Sequence, residues 1–439
     1  MNDVASVRRL ASSGRRFLIK TIAVDSSSSG EGAALAWSWL YIFALFLAYY
    51  ILRPIREELG VAGGVRNLPW LFSGTLVAMV VANPLFAWVV RRWPREKFIE
   101  ITYRFFMVNL LIFMLLLALA SPQDRVWTGR AFFIWVSVFN LFVISVFWSF
   151  VVDVFNAAQA RRLFGFLATG ATTGGIVGSA MTSGLVDIVG QGGLLFISLI
   201  LLELAVYSAR RLSVISDAFH IPAEREEAHR PVGGGLLSGI SNTFSSPYLL
   251  GIAGFILFYS LTSTILYFNQ ASIAEQQFPD RASRTAFFAN INLLVNGLTL
   301  IVQIFLTGRI IAWTGLALTL CALPLMSVAG FSMLSIYPGI VVFVIFQAIR
   351  NVSNYALTRP AREILFTAVT REDRFKTKNF IDTVVYRAGD QLAAWSCAGL
   401  LAAGLSMSGI AMVAVPLSVA WLALSFWLGS AQQRWERYR

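Results

Sequence analysis

Apolar runs alternate with short polar gaps along nearly the whole chain. A helix needs about 20 mostly apolar residues to cross a hydrocarbon core. Runs of that kind fall at 33–53, 68–90, 98–120, 129–153, 163–189 and 192–210. A polar stretch then intervenes. It contains AEREEAHRPVGGG, which a bilayer interior would not accept. Further runs follow at 247–275, 286–312, 314–336, 338–357, 378–404 and 408–430. The pattern predicts an all-α integral membrane protein with about twelve transmembrane helices in two six-helix halves. The expected division is a tail over 1–30, a first half over 31–211, a central loop over 212–245, a second half over 246–430 and a tail over 431–439.

Composition fixes the environment. Only 13% of the residues are charged and 57% are hydrophobic. A soluble chain averages about 25% charged residues, so this one cannot cover a water-facing surface and takes a lipid bilayer as its partner. The first thirty residues are basic and serine-rich without an apolar core, and read as a tail, not a cleavable signal. Cys321 and Cys397 both lie in apolar runs, so no disulfide framework is expected. His220 and His229 fall in the polar stretch between the halves, which excludes an intramembrane zinc site or histidine relay. No GK[ST] phosphate loop occurs, which excludes a primary pump. No cofactor, no nucleic acid and no enzymatic chemistry are expected, since no histidine or cysteine lies near the candidate carboxylates.

The charge between runs predicts orientation. The second run is followed by RRWPREK, the fourth by Arg161 and Arg162, and the sixth by Arg210 and Arg211. The tenth is followed by Arg359, Arg362, Arg371, Arg374, Lys376 and Lys378. The odd connections are short and mixed or neutral, for example VGQGG and SIYPG. The positive-inside rule then places both termini in the cytoplasm. A weak internal repeat relates the two halves. Sliding RLFGFLATGATTGG along KTKNFIDTVVYRAG pairs Phe166 with Phe380, Thr169 with Thr383 and Gly175 with Gly389, each in the fifth run of its half. Six plus six around a central loop is the major facilitator plan, in which parallel repeats enclose a midplane site.

Polar residues within the apolar runs mark the candidate site, because charge there is costly and faces a cavity or a partner. Arg387 lies about ten residues into the eleventh run, ~15 Å deep at 1.5 Å per residue. Asp390 at i+3 and Thr383 at i−4 are expected on its face, with Asp382 and Tyr386 on an adjoining strip. An Arg387–Asp390 pair could simply join helices. A guanidinium tuned by Asp390 could instead take a planar anion such as carboxylate or phosphate. Gln347, Arg350, Asn351 and Asn354 form a polar stripe at helical spacing in the tenth run, and Tyr259, Ser263, Tyr267 and Gln270 form another in the seventh. Asp153, close to the basic Arg161 and Arg162, reads as a gating salt-bridge residue. Gly170, Gly174 and Gly178 at spacing four read as a strip for close helix approach.

The first run ends in YYILRPIREELGV. Arg53 and Arg56 are expected at the outer lip of an anion path with Glu57 as their partner, and Glu58 is expected to be solvated. This stretch resembles the first-span motif of the ATP:ADP antiporter (nucleotide translocase) family of plastids and intracellular bacteria and its bacterial relatives. That motif has Leu-Arg, two residues, Lys-Asp and then Leu. Leu52 and Arg53 match it, Arg56 stands for Lys and Glu57 for Asp. KTKNFIDTVVYRAGD resembles a second segment of that family, matched by Lys376, Lys378, Ile381, Asp382, Arg387 and Gly389. The resemblance implies a divergent branch of the family with the major facilitator fold. The family carries Lys after Arg-x-Gly, where this chain has Asp390, and a carboxylate there would repel a triphosphate.

The function these readings imply is secondary-active transport of an anionic metabolite, nucleotide-like molecules included, across an inner membrane by alternating access. Arg53, Arg56, Arg387, Tyr259, Tyr267, Gln270, Gln347, Arg350, Asn351 and Asn354 would contact substrate. Glu57, Asp382 and Asp390 would balance charge, one of them carrying a coupling proton. Asp153, Arg161 and Arg162 would gate. The alternative is proton-driven transport of a non-nucleotide solute such as a metal chelate, a peptide fragment or a drug-like compound. A monomer is expected. A receptor or lipid-handling role fits less well, because the loops are short.

Overall fold

The computed structural model describes residues 30–92, 95–155, 157–217, 243–244, 246–366, 377–378 and 380–437. The N-terminal tail, most of the central loop and the basic residues Arg371, Arg374 and Lys376 lie outside them. The first half supplies α1 (Glu31–Ala62), α2 (Leu68–Arg92), α3 (Arg95–Leu119), α4 (Pro122–Val154) and α5 (Ala157–Asp217). The second supplies α6 (Pro247–Gln277), α7 (Arg281–Phe305), α8 (Thr307–Ile336), α9 (Ile340–Val352), α10 (Arg359–Leu365), α11 (Tyr386–Ala402) and α12 (Met407–Arg437). A turn of π-helix, Ser353–Thr358, joins α9 to α10, and another, Ile381–Val385, leads into α11.

Among the described residues ten helical stretches are long and apolar enough to cross a membrane. One is α5, which is broken at Gly190, where φ is 64°. Its two legs are the fifth and sixth apolar runs of the sequence. With α11, every one of the predicted runs is helical. Gly315 in α8 makes a similar break at φ 71°. Both positions need glycine, because a Cβ penalises this left-handed region. Exposed apolar side chains line the long helices, as lipid contact requires, with Leu115, Leu119, Phe305, Ile336 and Val341 among them.

Contacts divide the chain into two units. One takes in the described residues of Met1–Arg53, Val81–Ala120 and Val136–Arg230. In it α1 packs on the glycine strip of α5. A Cβ on Gly174 would stand 2.6 Å from the Phe43 carbonyl oxygen, and one on Gly178 2.6 Å from that of Leu47. These helices therefore meet backbone to backbone. Trp39 Nε1 donates to Thr169 Oγ1 at 3.1 Å along the same seam. Behind it, the buried Tyr41 and Tyr103 hydroxyls share a 2.7 Å hydrogen bond, and Tyr41 packs edge-on against Phe147.

The other unit comprises the described residues of Pro54–Val80, Ser121–Trp135 and Pro231–Arg439. Its core has two apolar clusters. One gathers Phe268, Phe288, Phe331, Phe343 and Cys397 with Val61, Leu68 and Phe133. The other gathers Phe255, Ile256, Leu320, Trp421 and Leu428.

The first helix is longer than the apolar run that announced it. It continues through Arg53 to Ala62 with Pro54 inside it. The charges that seemed to end it are carried within the helix because each has a partner, as described next.

Candidate functional site

Arg350, on α9, is the group hardest to reconcile with a bilayer. Its side chain is buried, at 2% exposure. Nη2 donates to Thr262 Oγ1 at 2.9 Å, to Ser263 Oγ at 3.0 Å and to the Tyr259 carbonyl at 3.4 Å, and Nε donates to Ser327 Oγ at 3.3 Å. The guanidinium also lies 5.4 Å from the centre of the Tyr259 ring. Among the described residues no carboxylate lies within ion-pair distance of it. Hydroxyl and carbonyl dipoles meet its Nε and Nη2 donors and leave its charge uncancelled among the described residues. An ion buried without a counter-charge costs several kcal/mol after relaxation.

Two further polar pairs make a seam with Arg350 between α6 and the α9 region. Gln347 Nε2 donates to Gln270 Oε1 at 3.2 Å, and Asn354 Nδ2 donates to the Tyr259 hydroxyl at 2.8 Å. The predicted stripes of the seventh and tenth runs therefore face each other. Asn351, half-buried, has no hydrogen-bond partner among the described residues.

The α6–α11 seam holds the second cluster. Asp390 is buried and accepts from Ser260 Oγ at 2.7 Å and Thr264 Oγ1 at 3.0 Å, both on Oδ1. Its Oδ2 accepts from Arg387 Nη1 at 3.3 Å. The Arg387 side chain stays 33% exposed against 7% for Asp390, so the guanidinium has a free side. Gly389 makes this approach possible. A Cβ there would lie 2.7 Å from Ser260 Cβ and 3.2 Å from the Leu257 carbonyl. The Arg-x-Gly-Asp order thus has a steric cause: the glycine lets α11 come close enough for the next residue to reach the α6 hydroxyls.

Asp382 and Thr383 are displaced from this cluster. They lie in the π turn, whose wider i→i+5 bonding shifts the residues before it around the helix. Asp382 pairs with Arg362 of α10 at 3.4 Å, and Thr383 is exposed. The expected shared face of Thr383, Arg387 and Asp390 is therefore reduced to the last two.

The far end of α1 has its own network. Arg56 Nη1 pairs with Glu57 at 2.9 Å and its guanidinium stacks 3.9 Å over Phe133 of α4. Glu57 also accepts from the Tyr267 hydroxyl of α6. Glu58, expected to be solvated, is fully buried and faces Arg284 of α7 at 3.8 Å. Nearby, Ser73 of α2 donates to Gln391 of α11 at 2.9 Å, and Trp70 meets Trp395 edge-on at 4.9 Å. Arg53 belongs to the first unit, where its guanidinium lies 5.7 Å from the Tyr50 ring. Asp153 lies on α4 and Arg161 and Arg162 on α5; their side chains are outside the described residues.

Sequence reasoning missed Ser260, Thr264, Thr262 and Ser327, which hold the two charged groups. Ser260 and Thr264 stand at i, i+4 on a helix already marked as polar, a spacing that could have pointed to them. Ser327 is alone in its apolar surroundings and gives no such signal.

Comparison with known proteins agrees with this architecture. No family model matches the chain. The nucleoside transporter NupG superposes on 92% of the chain and 98% of its own length, with TM-score 0.58 at 13% identity. A POT family transporter, crystallised with a thioalcohol-conjugated peptide, does so over 90% and 96%, with TM-score 0.61 at 10% identity. The chain therefore has a multi-pass helical fold of the major facilitator kind, the fold these structures share. In sequence it is a distant homologue of proteins named ADP,ATP carrier protein 1. It is 24% identical to the one from Chlamydia trachomatis over 344 residues and 22% identical to the one from Chlamydia pneumoniae over 347. Each match covers 70% of this chain; the Chlamydia trachomatis match spans 65% of that relative's own length.

Proposed function

We propose that the protein is a secondary transporter of a small anionic metabolite, working by alternating access across a bacterial inner membrane with both termini in the cytoplasm. The observation that carries this reading is Arg350: a buried guanidinium bonded to hydroxyls and a carbonyl, with no carboxylate beside it among the described residues. Its uncancelled charge gives the seam a positive field, and low dielectric strengthens that field. Arg387, with its exposed side, supplies the donors that an incoming carboxylate or phosphate would meet. Tyr259 and Tyr386 pack 6.1 Å apart beside these groups, and Asn351 offers an amide. Asp382, cancelled by Arg362, and Glu57, cancelled by Arg56, keep the net charge of the region from rising further.

The relatives' name makes adenine nucleotides the first candidates. Asp390, standing where the nucleotide exchangers carry Lys, favours an anion of lower charge than a nucleoside triphosphate. Uptake into proteoliposomes of radiolabelled ADP, AMP and mono- and dicarboxylates, with and without internal counter-substrate, tests the reading. Arg387→Ala is expected to lower uptake by about 10- to 100-fold, the worth of one or two hydrogen bonds to a charged group. Normal uptake by that variant, or transport of cations or neutral solutes alone, would sink the assignment.

A further inference from the structure

Asp390 and an anion would compete for the same guanidinium. In the structure Arg387 Nη1 is committed to Asp390 Oδ2, while the other carboxylate oxygen is held by Ser260 and Thr264. Thr264 and Arg387 donate to the carboxylate, the pattern of the ionised form, while the single Ser260 hydroxyl proton lies between Asp390 Oδ1 and the Tyr386 carbonyl, each 2.7 Å from its Oγ. Only one of these donors is charged, and it is the one group with an exposed side. The Arg387–Asp390 link is thus the part of the cluster that a ligand can reach. The other groups acting here do not replace it. On α11 the neighbour is the phenol of Tyr386, with the phenols of Tyr259 on α6 and Tyr355 in the π turn beyond it. Asp382 is held by Arg362, and α12 brings Trp421, packed on Tyr259. Among the described residues no second cation stands ready to neutralise Asp390.

We infer that an anion bound at Arg387 draws the guanidinium off Asp390 and that the freed carboxylate then takes a proton, so the protein carries its anion together with a proton. This deepens the anion reading and rests on it. The balance is simple. An O–H bond forms on Asp390 Oδ2, with the proton supplied by water-borne hydronium, and Arg387 keeps all its protons while it exchanges one oxyanion for another. Ser260 and Thr264 remain on Oδ1 in both states. Because anion binding then includes proton uptake, affinity must rise as pH falls. Arg350 has no such partner to release and contributes a field that is constant with pH.

Sulfate is a suitable probe, since its own charge is constant between about pH 5 and 8. Its binding to the purified full-length protein in nanodiscs would be measured by titration calorimetry in buffers of different ionisation enthalpy. The expected result is affinity that tightens by up to about tenfold per pH unit on lowering the pH, with close to one proton taken up per sulfate. Asp390→Asn keeps the acceptor for Ser260 and Thr264 but leaves Arg387 unshared. It is expected to bind sulfate with no pH slope and, at neutral pH, at least as tightly as the parent. A parent protein that binds sulfate equally at all pH values without proton uptake overturns the inference and leaves the anion reading standing. So does a pH slope that survives in Asp390→Asn. Failure of the parent to bind sulfate at any pH overturns the anion reading and this inference with it. Should Asp390→Asn not fold, the parent's slope and proton count decide alone.

Discussion

The fifth predicted span of each half packs against the first span of that half, and the two seams are built from different material. In the first unit the leading leg of α5 meets α1 through Gly170, Gly174 and Gly178, against Trp39, Ile42, Phe43 and Leu47. Backbone approaches backbone, and the described polar contact is one indole–hydroxyl bond. In the second unit α11 meets α6 through Gly389, and there the closeness brings Asp390 and Arg387 onto Ser260 and Thr264. Glycine serves both seams in one way, by removing the Cβ that would hold the helices apart. What differs is the residue beside it. Where small and apolar residues flank the glycines, the seam is a joint. Where Arg and Asp flank one, it becomes a charged device.

If that contrast is right, the largest effect of any single change should come from the joint. Gly174→Leu places a side chain where even its Cβ would be 2.6 Å from the Phe43 carbonyl and 3.0 Å from the Leu47 nitrogen. Backbone cannot rotate away as a side chain can. The expected cost is about 3 kcal/mol or more, the upper end for overpacking, read as loss of monodisperse protein or a large drop in thermal midpoint. Parent-like stability would mean that the glycine strip is not the contact it seems.

Next in size is Arg350→Met, which separates stability from function. The variant loses a buried charge that has no counter-charge among the described residues, and a flexible apolar chain fills most of the volume. Stability is expected to stay level or rise by about 1 kcal/mol, since replacing buried charge with packed apolar groups is often stabilising. Anion uptake is expected to fall at least about tenfold, or ~1.4 kcal/mol. Thermal unfolding and proteoliposome uptake on one preparation measure both. A variant that is strongly destabilised would instead make Arg350 a structural strut tying α6 to α8 and α9.

The seams also show how far a sequence can be read. Twelve runs, the glycine spacing and the two polar stripes were visible because each depends on helical periodicity and on the cost of polarity in lipid. The assignment of partners was not. Thr383 at i−4 and Asp390 at i+3 both share the face of Arg387 on an ideal helix, and the π turn at Ile381–Val385 leaves only Asp390 beside it. Glu58 looked solvated because its partner, Arg284, lies in another half of the sequence. The uncancelled charge of Arg350 is a property of everything packed around it, so no local pattern could announce it.

Gly389→Ala gives a smaller and more discriminating effect. Its new methyl meets the Ser260 side chain at 2.7 Å, a group that can yield, and the Leu257 carbonyl at 3.2 Å. About 1–3 kcal/mol of destabilisation is expected. Gly170→Ala, with a Cβ 2.8 Å from Ile42 Cγ2 and 3.1 Å from the Trp39 carbonyl, should cost about as much. The two variants should nevertheless differ in ligand binding. Moving Ser260 loosens Asp390, so Gly389→Ala should change the pH slope of anion binding, while Gly170→Ala should leave that slope alone. Equal slopes in both would show that the α6–α11 seam is a joint like the other.

The smallest expected effect supplies the control that this comparison needs, a source of pH dependence unconnected with the seams. Asp280 caps α7 from the turn after α6. The Ser283 backbone N–H donates to its Oδ1 at 2.8 Å and the Ser283 hydroxyl to its Oδ2 at 2.7 Å. These bonds, the backbone one first, hold its carboxyl below the usual carboxylate range. A carboxyl lowered on folding contributes stability that is complete above its unfolded value, near 4, and is lost as pH falls through the lower folded value. Asp280→Asn should therefore flatten a shallow acid loss of thermal midpoint below about pH 4 and lower the midpoint slightly above it. Because this window lies below the range in which sulfate binding would be titrated, the variant should leave the pH slope of binding unchanged. A slope altered by Asp280→Asn would mean that acid-driven changes in stability, not proton uptake at Asp390, produce the dependence of binding on pH.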